Sequence, residues 1–276
     1  MRANRTLLVL GMHRSGTSLT ANWMHEAGIS MGDALLEESP TNAKGYYEDK
    51  EFLQFHRDLL AAGGQSHLIT QAEQLPKANE YFTKRAEYLV RLKSDLHEQW
   101  GWKDPRTVLF LPFWRQLIPQ ATYLVVYRHY VQTVDSLLRR RMVKPRGVWM
   151  NAKQVSASIL HRKELQTRQV DQTTDFLRMW VFYNQQLIEF VREHTDASIY
   201  VVEQNKLTEQ QLAIERWLTD HQFSLQTGRL SAVYEPKLMK QRASVFDTTL
   251  VPAELLQAAE TTWQSLNELG NKVPTL

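Results

Sequence analysis

The stretch Thr6-Leu7-Leu8-Val9-Leu10-Gly11-Met12-His13-Arg14-Ser15-Gly16-Thr17-Ser18-Leu19 leaves few folds open to this chain. The apolar run Leu7 to Leu10 reads as a β-strand that ends on a glycine. A second glycine, Gly16, follows ahead of Thr17 and Ser18. Leu19, Trp23, Met24 and Ala27 then recur at helical spacing, and Gly28 supplies a stop. Strand, glycine loop and helix in that order turn backbone N–H groups and the positive end of a helix dipole toward one point, which suits a phosphate. The alternative is a tight strand–helix turn without a ligand. The spacing Gly-x-x-x-x-Gly is that of a nucleotide-triphosphatase loop, but Thr17 stands where that loop carries its lysine. Arg14, with His13 beside it, is the basic side chain at the bend. The loop is therefore equipped for a phosphate but not with the usual triphosphate apparatus.

With 276 residues, 43% of them hydrophobic, the chain is long enough for a sizeable α/β core. It has no cysteine, which excludes disulfides and thiolate metal sites. The N-terminus runs straight into the first strand, whose apolar run is too short for a signal sequence or a membrane span. A cytoplasmic protein is expected. A net charge of +3 says little about partners.

A polar loop follows Gly28 and leads through Gly45-Tyr46-Tyr47-Glu48-Asp49 into a helix marked by Phe52, Phe55, Leu59 and Leu60. Glu48 is either a general base or an acid that favours the helix N-terminus. His56 is either a second candidate for proton transfer or an ordinary surface or core histidine, which a lone histidine more often is. The segment Ala78 to Gln99 reads as a helix without chemistry. Trp100-Gly101-Trp102-Lys103-Asp104-Pro105 reads as a short strand halted by the proline, with a helix expected from Val108 to Leu117. Ligands of open parallel sheets collect at the carboxyl ends of strands, which is where Lys103 lies. The alternative for Lys103 is a surface pair with Asp104 or another carboxylate. Thr122 to Tyr127 is apolar throughout, as a doubly covered parallel strand reads. It ends in Arg128 rather than the aspartate that would hold magnesium, and a helix over Tyr130 to Arg141 carries Ser136. An arginine there offers a fixed charge and a donor fork suited to phosphate.

Taken together, these pieces resemble the PAPS-dependent sulfotransferase superfamily, and most closely its Arg-Ser-Gly-Thr branch, which includes tyrosylprotein and many bacterial sulfotransferases. The 5′-phosphosulfate loop of that family is matched by Gly11-Met12-His13-Arg14-Ser15-Gly16-Thr17-Ser18. Its 3′-phosphate motif is matched by Arg128 and Ser136. Trp102-Lys103-Asp104-Pro105 matches in part the Asn-Lys-Asp-Pro of the tyrosylprotein branch, and Gly45-Tyr46-Tyr47-Glu48-Asp49 resembles a segment of bacterial members. The lysine in the loop and the Lys-Thr-His segment of cytosolic sulfotransferases are absent. The resemblance implies that His13, Arg14, Ser15, Gly16, Thr17, Ser18, Arg128 and Ser136 bind the donor. It also implies that Arg14 and Lys103 stabilise the leaving group and that Glu48 is the base, with no metal required.

The run Arg139-Arg140-Arg141-Met142-Val143-Lys144-Pro145-Arg146 begins a basic segment over 139–172, with Lys153, Arg162, Lys163 and Arg168. It reads either as a solvated basic helix, expected over Ala152 to Gln169, or as a surface for an anionic acceptor or the polyanionic donor. An acidic glycan or a lipid-linked sugar at a membrane surface fits that surface; no nucleic-acid module is apparent. Asp175 to Glu193 is expected as a separate helix with an aromatic core face, Ser198 to Glu203 as a strand, and Thr208 to Asp220 as a helix. Glu203 would be the metal carboxylate of a nucleotide-triphosphatase. Tyr234 through Arg242 reads as a loop that could close over the donor, with Lys237, Lys240 and Arg242 as phosphate contacts. Val251 to Leu269 reads as a terminal helix.

The expectation is one α/β domain over 1–276, a P-loop-like three-layer α/β/α arrangement around a parallel sheet, with room for one short extra strand. The function expected is transfer of a sulfuryl group from PAPS to an acceptor hydroxyl, a carbohydrate slightly favoured. The alternatives are a P-loop kinase or NTPase using magnesium-ATP, and a non-catalytic nucleotide- or glycan-binding protein.

Overall fold

A computed structural model of the chain describes residues 4–36, 45–142, 158–195, 198–226, 230 and 244–272, with backbone alone over 141–142 and 158–171. Four strands form one sheet: β1 (Arg5–Leu10), β2 (Gln99–Trp102), β3 (Thr122–Tyr127) and β4 (Ile199–Glu203). The order is β2-β1-β3-β4 and every pairing is parallel. Parallel neighbours need crossovers, and here helices make them. These are α1 (Thr17–Glu26), α2 (Lys50–Ala62), α3 (Glu80–Leu96), α4 (Leu111–Leu117), α5 (Tyr130–Met142) and α6 (Ser158–Glu193); α7 (Gln211–Asp220) and α8 (Ala253–Gly270) follow β4.

The strand alternation decides which helix packs where. Leu8, Leu10, Tyr123 and Val125 point into one core with residues of α2, α3, α4, α5, α6 and α8. Leu7, Val9, Leu124 and Val126 point into another with residues of α1 and α7. All six residues of β3 are buried, as expected of a strand covered on both faces. The result is an α/β fold with a four-stranded, all-parallel sheet flanked by helices. Among the described residues there is no fifth strand; two isolated bridges, Ser30 to Trp100 and Leu35 to Asp49, are all that extend the pairing.

Two expectations need correction. The helix expected over Val108 to Leu117 is a 3-10 turn, Pro105–Phe110, followed by α4. Pro112 lacks an N–H and crowds the residue before it, so an α-helix cannot run through from Val108. The separate helices expected over Ala152 to Gln169 and Asp175 to Glu193 are one helix, α6, of 36 residues. No glycine or proline interrupts its sequence, so nothing local stops propagation.

Candidate active site

The glycine loop sits between β1 and α1. A side chain at Gly11 would place its Cβ 2.3 Å from the carbonyl oxygen of Val126, so only glycine lets β3 lie this close. Gly16, at φ 94°, is the N-cap of α1 and offers no side chain to its first turn. The first N–H groups of the helix are therefore left for whatever the loop holds. Ser15 is fully buried and its hydroxyl has no partner among the described residues.

Arg14 adopts φ 69°, a left-handed conformation uncommon outside glycine. That turn places Arg14 between the two residues of the expected 3′-phosphate pair. Its Nε donates to Ser136 Oγ at 2.8 Å, and its carbonyl accepts from Arg128 Nη1 at 3.3 Å. Arg128 follows the end of β3 and Ser136 lies two turns into α5, so the helix folds back along the strand end and both reach the loop. Burial, then the charge of Arg140, lowers the pKa of Arg14; burial, then the charge of Arg14, lowers that of Arg128. Neither arginine has an ion pair among the described residues.

On the other side of the loop stands Lys103, one residue beyond β2 and 1% exposed. Its Nζ donates to Glu48 Oε1 at 2.7 Å and to Ser18 Oγ at 3.2 Å. Lys103 is thus neither on the surface nor paired with Asp104. Asp104 instead bonds Arg106 Nη1 at 2.7 Å and His56 Nδ1 at 2.8 Å. Burial opposes its ionisation, but the Arg106 charge and the His56 hydrogen bond hold its carboxyl well below the usual carboxylate range. Trp114 Nε1 donates to His56 Nε2 at 3.0 Å, so the His56 proton sits on Nδ1 and is donated to Asp104. With both nitrogens engaged and no exposure, His56 is held in the core and does not reach the loop.

Nor does Glu48 cap α2. Asp49 does, accepting from the N–H of Glu51 at 2.8 Å. The other Asp49 oxygen is 2.9 Å from Lys93 Nζ, which also meets Asp33 at 2.6 Å and Glu51 at 2.5 Å. These three carboxylates have the spacing of a metal site, and the ammonium of Lys93 lies among them. The cluster anchors the segment that carries Glu48.

Arg14, Glu48 and Lys103 line one cleft of about 530 Å³ with His13, Thr17 and Ser18. His13 Nε2 is buried without a hydrogen-bond partner. Burial first, then the charges of Arg106 and His67, lower its pKa well below that of free histidine, so its ring is neutral. Arg57, Arg106 and Arg140 add positive charge to the cleft, and among the described residues that line it Glu48 is the one acidic side chain. Arg140 lies 5.7 Å from the centre of the Tyr46 ring, as a cation–π pair. Leu36, Leu137, Phe176 and Met179 give an apolar wall. Arg57 and Arg106 escape a reading of sequence. Arg106 has one usable signal, its place in the run Lys103-Asp104-Pro105-Arg106; Arg57 has none.

Glu203 accepts from Asn205 Nδ2 at 3.0 Å, and β3 separates its strand from β1. It is not among the residues that line the cleft. Within the basic segment, Arg139 pairs with Asp135 at 2.7 Å. The further basic side chains of 139–172, from Arg141 on, lie outside the described residues, as do Lys237, Lys240 and Arg242. Among the described residues no helix is long and apolar enough to cross a membrane.

No family model and no curated protein matches the chain. Solved structures do. Sulfotransferase STF9 from Mycobacterium avium is similar with a TM-score of 0.55 at 12% identity, over 94% of this chain and 76% of that one. The sulfotransferase domain from the curacin biosynthetic pathway is similar with a TM-score of 0.52 at 15% identity, over 97% and 99%. At such identities the likeness is one of fold: this chain folds as those sulfotransferases do, with its cationic cleft at the carboxyl ends of the strands.

Proposed function

We propose that the protein is a PAPS-dependent sulfotransferase of the Arg-Ser-Gly-Thr loop branch, acting on an acceptor hydroxyl. The observation that carries this reading is the setting of Arg14. It lies in the loop, joined to Ser136 and Arg128 on one side, with the Lys103–Glu48 pair across the loop in the same cleft. The residues suit a donor with phosphate at both ends. Among the described residues, the two half-buried arginines have no carboxylate partner, the Ser15 hydroxyl has no hydrogen-bond partner, and the first turn of α1 has no side-chain cap.

When bound, the donor supplies a sulfuryl group that moves to the acceptor oxygen while 3′-phosphoadenosine 5′-phosphate leaves. The loop N–H groups, Thr17 and Ser18 hold its 5′ end, and His13 borders it. Arg128 and Ser136 take the 3′-phosphate. Arg14 and Lys103 are fixed positive charges placed for the leaving oxygen, and such preorganised donors need no reorganisation during the reaction. Glu48 accepts the acceptor proton. A carbohydrate is the favoured acceptor class.

Calorimetric titration tests the reading, with 3′-phosphoadenosine 5′-phosphate and separately with magnesium-ATP, on the wild type and Arg128→Ala. Metal-independent binding of the 3′-phosphorylated nucleotide, weakened by about tenfold or more in Arg128→Ala, is expected. Preference for magnesium-ATP rejects it in favour of a kinase.

A further inference from the structure

A second cavity, of about 250 Å³, is walled by Arg57, Leu60, Gln65, Ser66, His67 and Arg106. Arg57, His67 and Arg106 also line the main cleft, so this chamber adjoins it, and no residue of the glycine loop is among those that wall it. Arg106 is only 7% exposed. Its Nη1 is fixed by Asp104, while its Nε and Nη2 have no hydrogen-bond partner among the described residues. Arg57 is exposed and has neither hydrogen bond nor ion pair among the described residues. Among the described residues that wall the chamber there is no acidic side chain. A buried guanidinium held in place by Asp104, with N–H groups to spare and a second, uncompensated guanidinium across the same space, is arranged for an anion.

We infer that this chamber grips a carboxylate of the acceptor, and that the acceptor is a hydroxy acid. The inference rests on the sulfotransferase reading of the main cleft. The acceptor's hydroxyl lies at Glu48 and its carboxylate between Arg57 and Arg106, where a planar carboxylate matches the guanidinium fork. Gln65 and Ser66 offer an amide and a hydroxyl to polar groups beside the carboxylate. In the reaction a bond forms between the acceptor oxygen and sulfur, the bond from sulfur to the 5′-phosphate oxygen breaks, and the acceptor proton passes to Glu48. The carboxylate takes no part in that exchange and serves to hold and select.

Three matched pairs of hydroxyl compounds test this by calorimetry: glycolate and ethylene glycol, 4-hydroxybenzoate and 4-hydroxybenzamide, glucuronate and glucose. Each is titrated with and without saturating 3′-phosphoadenosine 5′-phosphate. In at least one pair the acid is expected to bind about tenfold or more tighter than its neutral partner. Arg57→Gln, at an exposed position that leaves the Asp104–His56 network intact, is expected to erase most of that preference. No preference in any pair, or a preference kept in both Arg57→Gln and Arg106→Gln, overturns the inference. Tight binding of the nucleotide without acid preference rejects the chamber and leaves the sulfotransferase reading standing. Arg57-dependent acid preference without nucleotide binding rejects the donor reading, and the inference with it.

Discussion

Lys103 Nζ stands 2.7 Å from Glu48 Oε1, across 55 positions of sequence, and both groups are nearly sealed from solvent. On the proposed reading each therefore has two duties, holding the other's charge and serving the reaction. Glu48→Gln is expected to lower the transfer rate by about 10²–10⁴, as loss of a general base does. Affinity for 3′-phosphoadenosine 5′-phosphate should change little. Single-turnover rates beside calorimetry separate the two effects; an unchanged rate removes Glu48 from the chemistry.

Lys103→Met should act on both ledgers. Loss of one preorganised donor lowers the rate on the order of 10²–10³. Leaving Glu48 buried and unpaired costs about 3 kcal/mol of stability. Urea denaturation reads the second effect, and the double variant Lys103→Met with Glu48→Gln should recover part of it. A double variant less stable than the single one contradicts the pairing.

Gly11→Ala tests how close β1 and β3 lie. The added Cβ would meet the Val126 carbonyl oxygen at 2.3 Å, and backbone in a sheet gives way poorly. A loss of about 1–3 kcal/mol is expected, with nucleotide binding weakened alongside. Wild-type stability in this variant would mean that the loop can shift without cost.

His13 is expected to make the protein's stability sensitive to acid. Its folded pKa lies well below the ordinary value because burial and the neighbouring Arg106 and His67 oppose its charge. Below about pH 6.5 the unfolded chain takes up a proton that the folded one refuses, so stability falls as pH drops through that value. Above it both states are neutral and the contribution vanishes. His13→Asn should flatten the slope between roughly pH 6.5 and 5. An identical slope in the variant assigns the acid sensitivity elsewhere.

Lys93 sits among Asp33, Asp49 and Glu51, and its removal leaves Asp49 buried without a counter-charge. Lys93→Met is expected to cost about 3 kcal/mol. Because Asp49 caps α2 beside Glu48, the rate should fall as well, with nucleotide affinity preserved. If the rate holds while stability drops, the cluster is a fold anchor and does not position Glu48.

The parts of the site carried by local pattern were legible from sequence. Glycine spacing after an apolar strand located the loop, and a wholly apolar strand located Arg128 at its end. Which side chains meet was legible only in part, because meeting depends on strand order. Lys103 reaches Glu48 because β2 lies beside β1, and no local pattern encodes that neighbourhood. His56 drew attention as an isolated histidine, yet the indole of Trp114 and the carboxylate of Asp104 occupy both its nitrogens. Arg57 gave no signal, since an exposed arginine on an amphipathic helix looks like any other. The expected break between Gln169 and Asp175 has no local cause, because no glycine or proline stands in α6 to stop the backbone.

The strand order has a further consequence. The chain leaves β1 toward β2 on one side and returns to β3 on the other. Glu48, Arg57 and His67 come from the excursion between β1 and β2, while Arg128 and Ser136 come from the excursion beyond β3. On the proposed reading, much of the machinery that chooses the acceptor and that which reads the nucleotide's 3′ end are borne by separate lengths of chain that meet at Arg14. Insertions, losses or exchange of the 29–98 segment can then retarget such a protein while its nucleotide preference is inherited intact. A scaffold divided in this way lets a lineage explore new substrates without relearning its donor.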